Sequence, residues 1–237
     1  YVQQVKSGET ARALSLALVR DEFEFIGWYA DAACTVPYEQ ASAIEGETVI
    51  YAGWKSLKTG AETYTFEAEQ TSLLGKEGPG MSGSASGASM IVNDATNLDA
   101  SNGKYVSYLY KKGLSLDFYL ASSEAVSDAV LTLRVAAEMD NISLSPDNYT
   151  IEVNGQPVMF DAIALEKGAK FADCIVIQNV ALQVGANTIR LVTNNNVNPM
   201  GEGMGTYQGT APMVDCIKLT TTAVVTWDAN YNLPMMY

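Results

Sequence analysis

The chain has 237 residues, 48% of them hydrophobic, with 14 basic against 27 acidic side chains and a formal net charge of −13. That length admits one or two domains with ample material for a packed core. The acidic balance and the lack of any basic run argue against nucleic acid and anionic membrane surfaces as partners, and no apolar stretch approaches the ~20 residues that insertion across a membrane requires. Histidine is absent, which removes the commonest general base, the usual zinc ligand and every histidine-dependent triad. Cys34, Cys174 and Cys216 are odd in number and show no metal-ligand spacing. Buried thiols are the expectation, with a Cys174–Cys216 bridge left open.

No leader precedes the strand-like opening, which reads as the start of a fragment. The first dense strand signals are Phe25-Ile-Gly-Trp-Tyr-Ala-Asp31 and Thr48-Val-Ile-Tyr-Ala-Gly-Trp54. In the second, Val49, Tyr51 and Gly53 alternate with Ile50, Ala52 and Trp54, while Asp31 to Thr35 and Pro37 mark a turn-rich connection. These motifs resemble the Listeria–Bacteroides repeat of bacterial surface proteins. The resemblance implies a small β-grasp-like unit over residues 1–57, with Trp28 and Trp54 as its core. That repeat normally opens with a strand of the type Val-Thr-Phe-Asp-x-Asn-Gly. Here the pattern stands at the other end, as Val224-Val-Thr-Trp-Asp-Ala-Asn230. An unpaired apolar strand edge is costly. Residues 223–237 are therefore expected to complete the sheet of the first unit, in their own chain or by strand exchange with a neighbour; alternatively they begin a next repeat.

Residues 55–63 read as a linker. Tyr64-Thr-Phe-Glu-Ala-Glu69 reads as a strand with Phe66 and Ala68 on one face and Glu67 and Glu69 on the other. Two like charges so placed belong in solvent or on a cation. Gly75 to Asn102 is rich in Gly, Ser and Asn, the composition of a long surface loop with a short β excursion at 88–92. It lacks the Lys-Ser or Lys-Thr of a phosphate loop. Strand signals then recur at 105–110, at 114–121 with Leu116, Phe118 and Leu120 on one face, and at 130–136. Tyr149 to Val153 runs into Asn154-Gly155, a strong hairpin turn, with 158–160 returning. Residues 175–182 and 187–193 are expected to pair around Val184-Gly-Ala. In Pro212-Met-Val-Asp-Cys-Ile-Lys-Leu219, Asp215 falls in line with Ile217 and Leu219. Asp215 beside Glu67 and Glu69 would make an oxygen-rich cage suited to a hard cation such as calcium. Short strands at this spacing predict an all-β main domain, a β-sandwich.

The Phe-Glu-Ala-Glu strand, Ala100-Ser-Asn-Gly-Lys-Tyr-Val106, Leu131-Thr-Leu-Arg-Val135, Tyr149-Thr-Ile-Glu-Val-Asn-Gly155, Val184-Gly-Ala-Asn-Thr-Ile-Arg-Leu191 and the closing Val-Asp-x-Ile-x-Leu together resemble carbohydrate-binding modules of families 6 and 35. The resemblance covers about residues 61–222 and implies a jelly-roll sandwich. It implies a structural calcium (Ca2+) held by Glu67, Glu69, Asp215 and a loop carbonyl near Lys104. It also implies a sugar site in the loop before the last strand, with Tyr207 as a stacking platform and Asn195, Asn196 and Asn198 as polar partners. Two departures stand out: Met213 occupies a position where the family often has Asn, and the module contains no tryptophan. The implied function is non-catalytic binding of a polysaccharide or glycan within a larger secreted or cell-surface bacterial protein. The competing reading is a structural or adhesion spacer that keeps its calcium and contacts protein. Glu67 and Glu69 are close enough in sequence for glycoside hydrolysis, but no positioned base or oxyanion donor accompanies them, so an enzyme is not expected.

Overall fold

A computed structural model describes residues 4–11, 18–39, 41–57, 59–71, 90–109, 113–137, 141–194 and 211–229. The chain divides into two compact units, Tyr1–Thr59 and Gly60–Tyr237. In the first, β1 (Phe23–Tyr29) and β2 (Tyr51–Ser56) pair antiparallel, with a bulge between Phe25 and Gly27. Phe25 meets Trp28 and Trp54 edge to face, at ring separations of 5.4 and 5.6 Å. Between the strands the Asp31 carboxylate accepts the backbone N–H groups of Thr35 (3.0 Å) and Val36 (2.7 Å), closing the turn before Pro37. Gly53 is required by packing: a Cβ there would lie 2.2 Å from the Tyr29 ring.

The second unit opens with β3 (Glu62–Glu67), β4 (Ile91–Asn93), β5 (Lys104–Val106), β6 (Ser115–Ser122) and β7 (Val126–Ala136). There follow β8 (Ile142–Leu144), β9 (Tyr149–Val153), β10 (Gln156–Val158) and β11 (Ile163–Leu165). The last four are β12 (Ala172–Leu182), β13 (Gly185–Thr193), β14 (Met213–Thr221) and β15 (Val225–Trp227). One sheet has the order β10-β9-β13-β6-β15; the other runs β12-β7-β14-β5-β4, with β3 also on β14. Leu116, Phe118 and Leu120 of the first sheet and Leu131, Leu133 and Val135 of the second are completely buried in one core. The result is an all-β sandwich whose inward residues follow the two-residue period of its strands. Asn154 and Gly155 both have positive φ, 53° and 75°, and join β9 to β10 as the two-residue turn that Asn-Gly favours.

Three expectations change. Residues 175–182 and 187–193 do not pair with each other: β12 joins β7, whereas β13 crosses to the other sheet and lies between β6 and β9. The buried Asn187 side chain makes that corner, accepting the Gln183 N–H and donating to the Gln183 and Gly185 carbonyls. Secondly, the tail does not extend the first unit's sheet over its described residues. β15 pairs with β6 in the sandwich, and Asp228 N–H donates to the Tyr119 carbonyl. There the half-buried Trp227 stacks on Phe118 and meets Phe66 edge to face, contacts that favour its docking on the sandwich. Residues 230–237 lie outside the described residues. Thirdly, the three cysteines are free thiols as expected, but only Cys216 is buried, Cys34 and Cys174 being partly exposed. β12 and β14 flank β7 on opposite sides, which sets Cys174 and Cys216 about 10 Å apart, beyond the ~7 Å reach of a disulfide.

Candidate functional site

β3 ends at Glu67, and Ala68–Gln70 form a single 3-10 turn, so the paired acids do not share one strand face as their alternation suggests. Ala68 is fully buried and Glu69 is 9% exposed. The turn thus carries Glu69 inward beside Glu67. On β14, Val214 pairs with Val135 and Cys216 with Arg134, leaving Asp215 as the extra residue of a bulge. A bulge re-aims its side chain, and the completely buried Asp215 reaches the loop before β5 instead of the core that holds Ile217 and Leu219.

That loop is held by its own side chains. The Asp94 carboxylate accepts the N–H groups of Leu98 (2.7 Å) and Ala100 (3.0 Å), and those bonds lower its pKa. Asp94 N–H donates to the Gly103 carbonyl. Asn97, Asp99 and Gly103 all adopt positive φ. So fixed, Ser101 donates its N–H to Asp215 Oδ1 (2.9 Å) and its hydroxyl to Glu67 Oε2 (2.6 Å), while Oδ1 also lies 3.1 Å from that hydroxyl. Asn102 donates its amide to Glu69 Oε1 at 2.7 Å. From β7, Arg134 Nε donates to Asp215 Oδ2 at 2.7 Å and Nη2 to the Asp99 carbonyl at 2.8 Å. The neighbouring Glu67 and Glu69 and the distant Asp215 therefore meet around residues 101 and 102.

The electrostatics record this convergence. Desolvation raises the Glu67 pKa, and the charges of Glu69 and Asp215 push the same way, against the Ser101 hydrogen bond and Lys218. Desolvation and the neighbouring Asp215 and Glu67 charges push the Cys216 thiol up to about 12, which leaves it an inert core group. Glu69 Oε2 is buried and has no hydrogen-bond partner among the described residues. Among the described residues, no three His, Cys, Asp or Glu side chains are grouped closely enough to hold a metal by themselves. Any cation shell here draws on loop oxygens or water as well as the carboxylates. Lys104 stands in β5 opposite Asn93, and the loop side chains that touch the acids are those of Ser101 and Asn102. Tyr207, Asn195, Asn196 and Asn198 lie outside the described residues.

Ser101, Asn102 and Arg134 fall inside motifs legible in the sequence, but their contacts are not. Asp94 was the available signal: an Asp shortly before the turn formers Asn97 and Asp99 can bind nearby backbone N–H groups and organise a loop.

Against known structures, the chain is similar to a family 35 carbohydrate-binding module from Cellvibrio japonicus, at 16% identity over 70% of this chain and 97% of that one, with a TM-score of 0.45. It is similar to a family 35 module from Clostridium thermocellum at 21% identity, over 67% and 98% of the two chains, with a TM-score of 0.41. A further family 35 module, described in complex with a disaccharide containing glucuronic acid, matches at 18% identity over 58% and 85%, with a TM-score of 0.40. A comparison with curated proteins finds no match to this sequence. No helix among the described residues is long and apolar enough to cross a membrane. Residues 1–53 match the Listeria-Bacteroides repeat domain. The chain matches the Listeria-Bacteroides repeat domain over residues 1–53, and about two thirds of it is similar to family 35 carbohydrate-binding modules.

Proposed function

We propose that the sandwich binds a carbohydrate without catalysis, within a larger secreted or cell-surface protein, and that a structural calcium ion ties β3 to β14. The observation that carries this reading is the meeting of Glu67, Glu69 and Asp215 at residues 101 and 102, the arrangement that the sequence resemblance implies. The donor set is wholly oxygen, the kind a hard cation takes. The orphaned Glu69 Oε2 is an acceptor that needs a positive partner. When bound, calcium would supply charge neutralisation between β3 and β14. Glu67, Glu69 and Asp215 would hold it, with the carbonyl near Lys104 as the loop contribution. Tyr207 is the proposed platform for a sugar ring, and Asn195, Asn196 and Asn198 its polar partners. One such site binds with modest affinity, and neighbouring modules would add avidity.

The test is a glycan-array screen of the full chain with calcium and again with a chelator. Binding to a defined glycan, abolished by Tyr207→Ala without loss of melting temperature, is the expected result. Silence across a broad array, with calcium still raising the melting temperature, overturns the carbohydrate reading and leaves a structural spacer that contacts protein.

A further inference from the structure

Asp215 is completely withdrawn from water, and its two carboxylate oxygens face different partners. Oδ1 takes the Ser101 N–H and lies against the Ser101 hydroxyl, on the side of Glu67. Oδ2 takes Arg134 Nε at 2.7 Å, and the same guanidinium is anchored on the Asp99 carbonyl at 2.8 Å. A planar guanidinium bonded at two edges has little freedom. It therefore fixes which Asp215 oxygen points toward Glu67 and the loop. The second observation is independent: Glu69, 9% exposed, keeps Oε2 buried and without a partner among the described residues, although Asn102 satisfies Oε1.

A charge count connects the two. With all three carboxylates ionised, one guanidinium against Glu67, Glu69 and Asp215 leaves two net negative charges in the cluster. Lys218, which also faces Glu67, is neutralised by Asp173 at 2.8 Å. The Asp99 carboxylate, 64% exposed and 3.8 Å from Arg134, is screened by water. Uncompensated charge in such a site is expensive, and a residue of two matches one divalent ion.

We propose that Arg134 is a positioning residue that sets the charge selectivity of this cluster, holding Asp215 in place and reducing three acids to the demand of a divalent cation. This rests on the calcium reading of the same acids. Removing the guanidinium charge leaves a demand of three, which favours a trivalent ion over a divalent one.

The experiment measures affinity for calcium and for terbium(III) by titration calorimetry on the full chain and on Arg134→Gln, Arg134→Lys and Glu69→Gln variants. The expected result is that Arg134→Gln raises the terbium-to-calcium affinity ratio on the order of a hundredfold, the effect of one unit charge about 6 Å away at an effective dielectric of about 20. Arg134→Lys restores the charge, so its ratio stays near that of the parent while both affinities fall with the loss of the two-edged anchor. Glu69→Gln shifts the ratio the opposite way, and it provides the test should Arg134→Gln fail to fold. Calcium binding by the parent with a ratio unmoved by Arg134→Gln, or, if that variant does not fold, by Glu69→Gln, overturns the role of Arg134 and leaves the calcium site standing. Failure of both ions to bind the parent and every variant overturns the calcium reading, and this proposal with it.

Discussion

The two units bury their aromatic side chains in opposite ways. In the first, Phe25, Trp28 and Trp54 meet edge to face on one side of a two-stranded sheet and each stays half-buried. None of the apolar side chains described there is fully buried, whereas Val19, Val36, Val49 and Leu57 are all more than half exposed. In the sandwich, Trp227 lies between Phe66 and Phe118, which are 3% and 0% exposed. Two facing sheets enclose rings such as Phe66 and Phe118 almost completely, whereas the two described strands of the first unit leave Phe25, Trp28 and Trp54 partly open. Small units bury a smaller fraction of their surface and so have less stability to lose. The tail shows the consequence. A strand with the sequence pattern of a repeat opening sits on the sandwich, where its tryptophan has two aromatic neighbours.

The largest test of this contrast is Phe118→Ala. Removing a completely buried phenylalanine should cost about 3–5 kcal/mol, read as a lower denaturant midpoint in the transition that Trp227 reports. Two of the three tryptophans lie in the first unit and one in the sandwich, so Trp227→Phe and a Trp28→Phe/Trp54→Phe pair separate the signals. A cost below about 1 kcal/mol would mean that the core can collapse around the loss. A smaller effect is expected for Trp54→Ala in the first unit, about 1–2 kcal/mol for a half-buried ring. An equal or larger loss would show that the first unit depends on its open aromatic cluster as heavily as the sandwich does on its core.

The smallest effect is a difference in sign with pH, measured without divalent ions. Burial raises the Glu67 pKa above 4.5 in the folded state, so the folded protein binds the proton more tightly than the unfolded chain. Stability from this group falls as pH rises through the window just above 4.5 and is regained on acidification. Asp31 behaves oppositely: backbone hydrogen bonds, led by that of Val36, lower its pKa below 3.8. Its contribution is present above 3.8 and lost as pH falls through the lower folded value. Glu67→Gln should flatten the first dependence and Asp31→Asn the second, in melting temperature followed against pH. If both variants flatten the same window, the two carboxylates do not differ as their surroundings require.

Much of the sandwich could be read from alternation. Leu116, Phe118 and Leu120 were placed on one face by their spacing alone, and they are buried together. Asn154-Gly155 announced its hairpin because only residues tolerant of positive φ make that turn readily. The candidate cation site was legible as three acids, but not as a geometry. Strict alternation put Glu69 on the outer face with Glu67 and Asp215 on the core face with Ile217. The 3-10 turn at 68–70 and the bulge at 215 reverse both placements.

What the sequence by itself determined were local properties: strand periodicity, turn chemistry, the closely spaced acids at 67 and 69 and the repeat motifs at the N-terminal end. Each depends on residues a few positions apart, and each carries its own composition signal. Tertiary structure alone decided which strands became neighbours. The crossing of β13 between sheets, the docking of β15 on β6 and the pairing of Arg134 with Asp215 link residues separated by 30 to more than 100 positions. No local pattern encodes such pairings. They are settled by which arrangement buries Asp215 with satisfied partners and gives Trp227 its two aromatic neighbours, and that is a property of the assembled core.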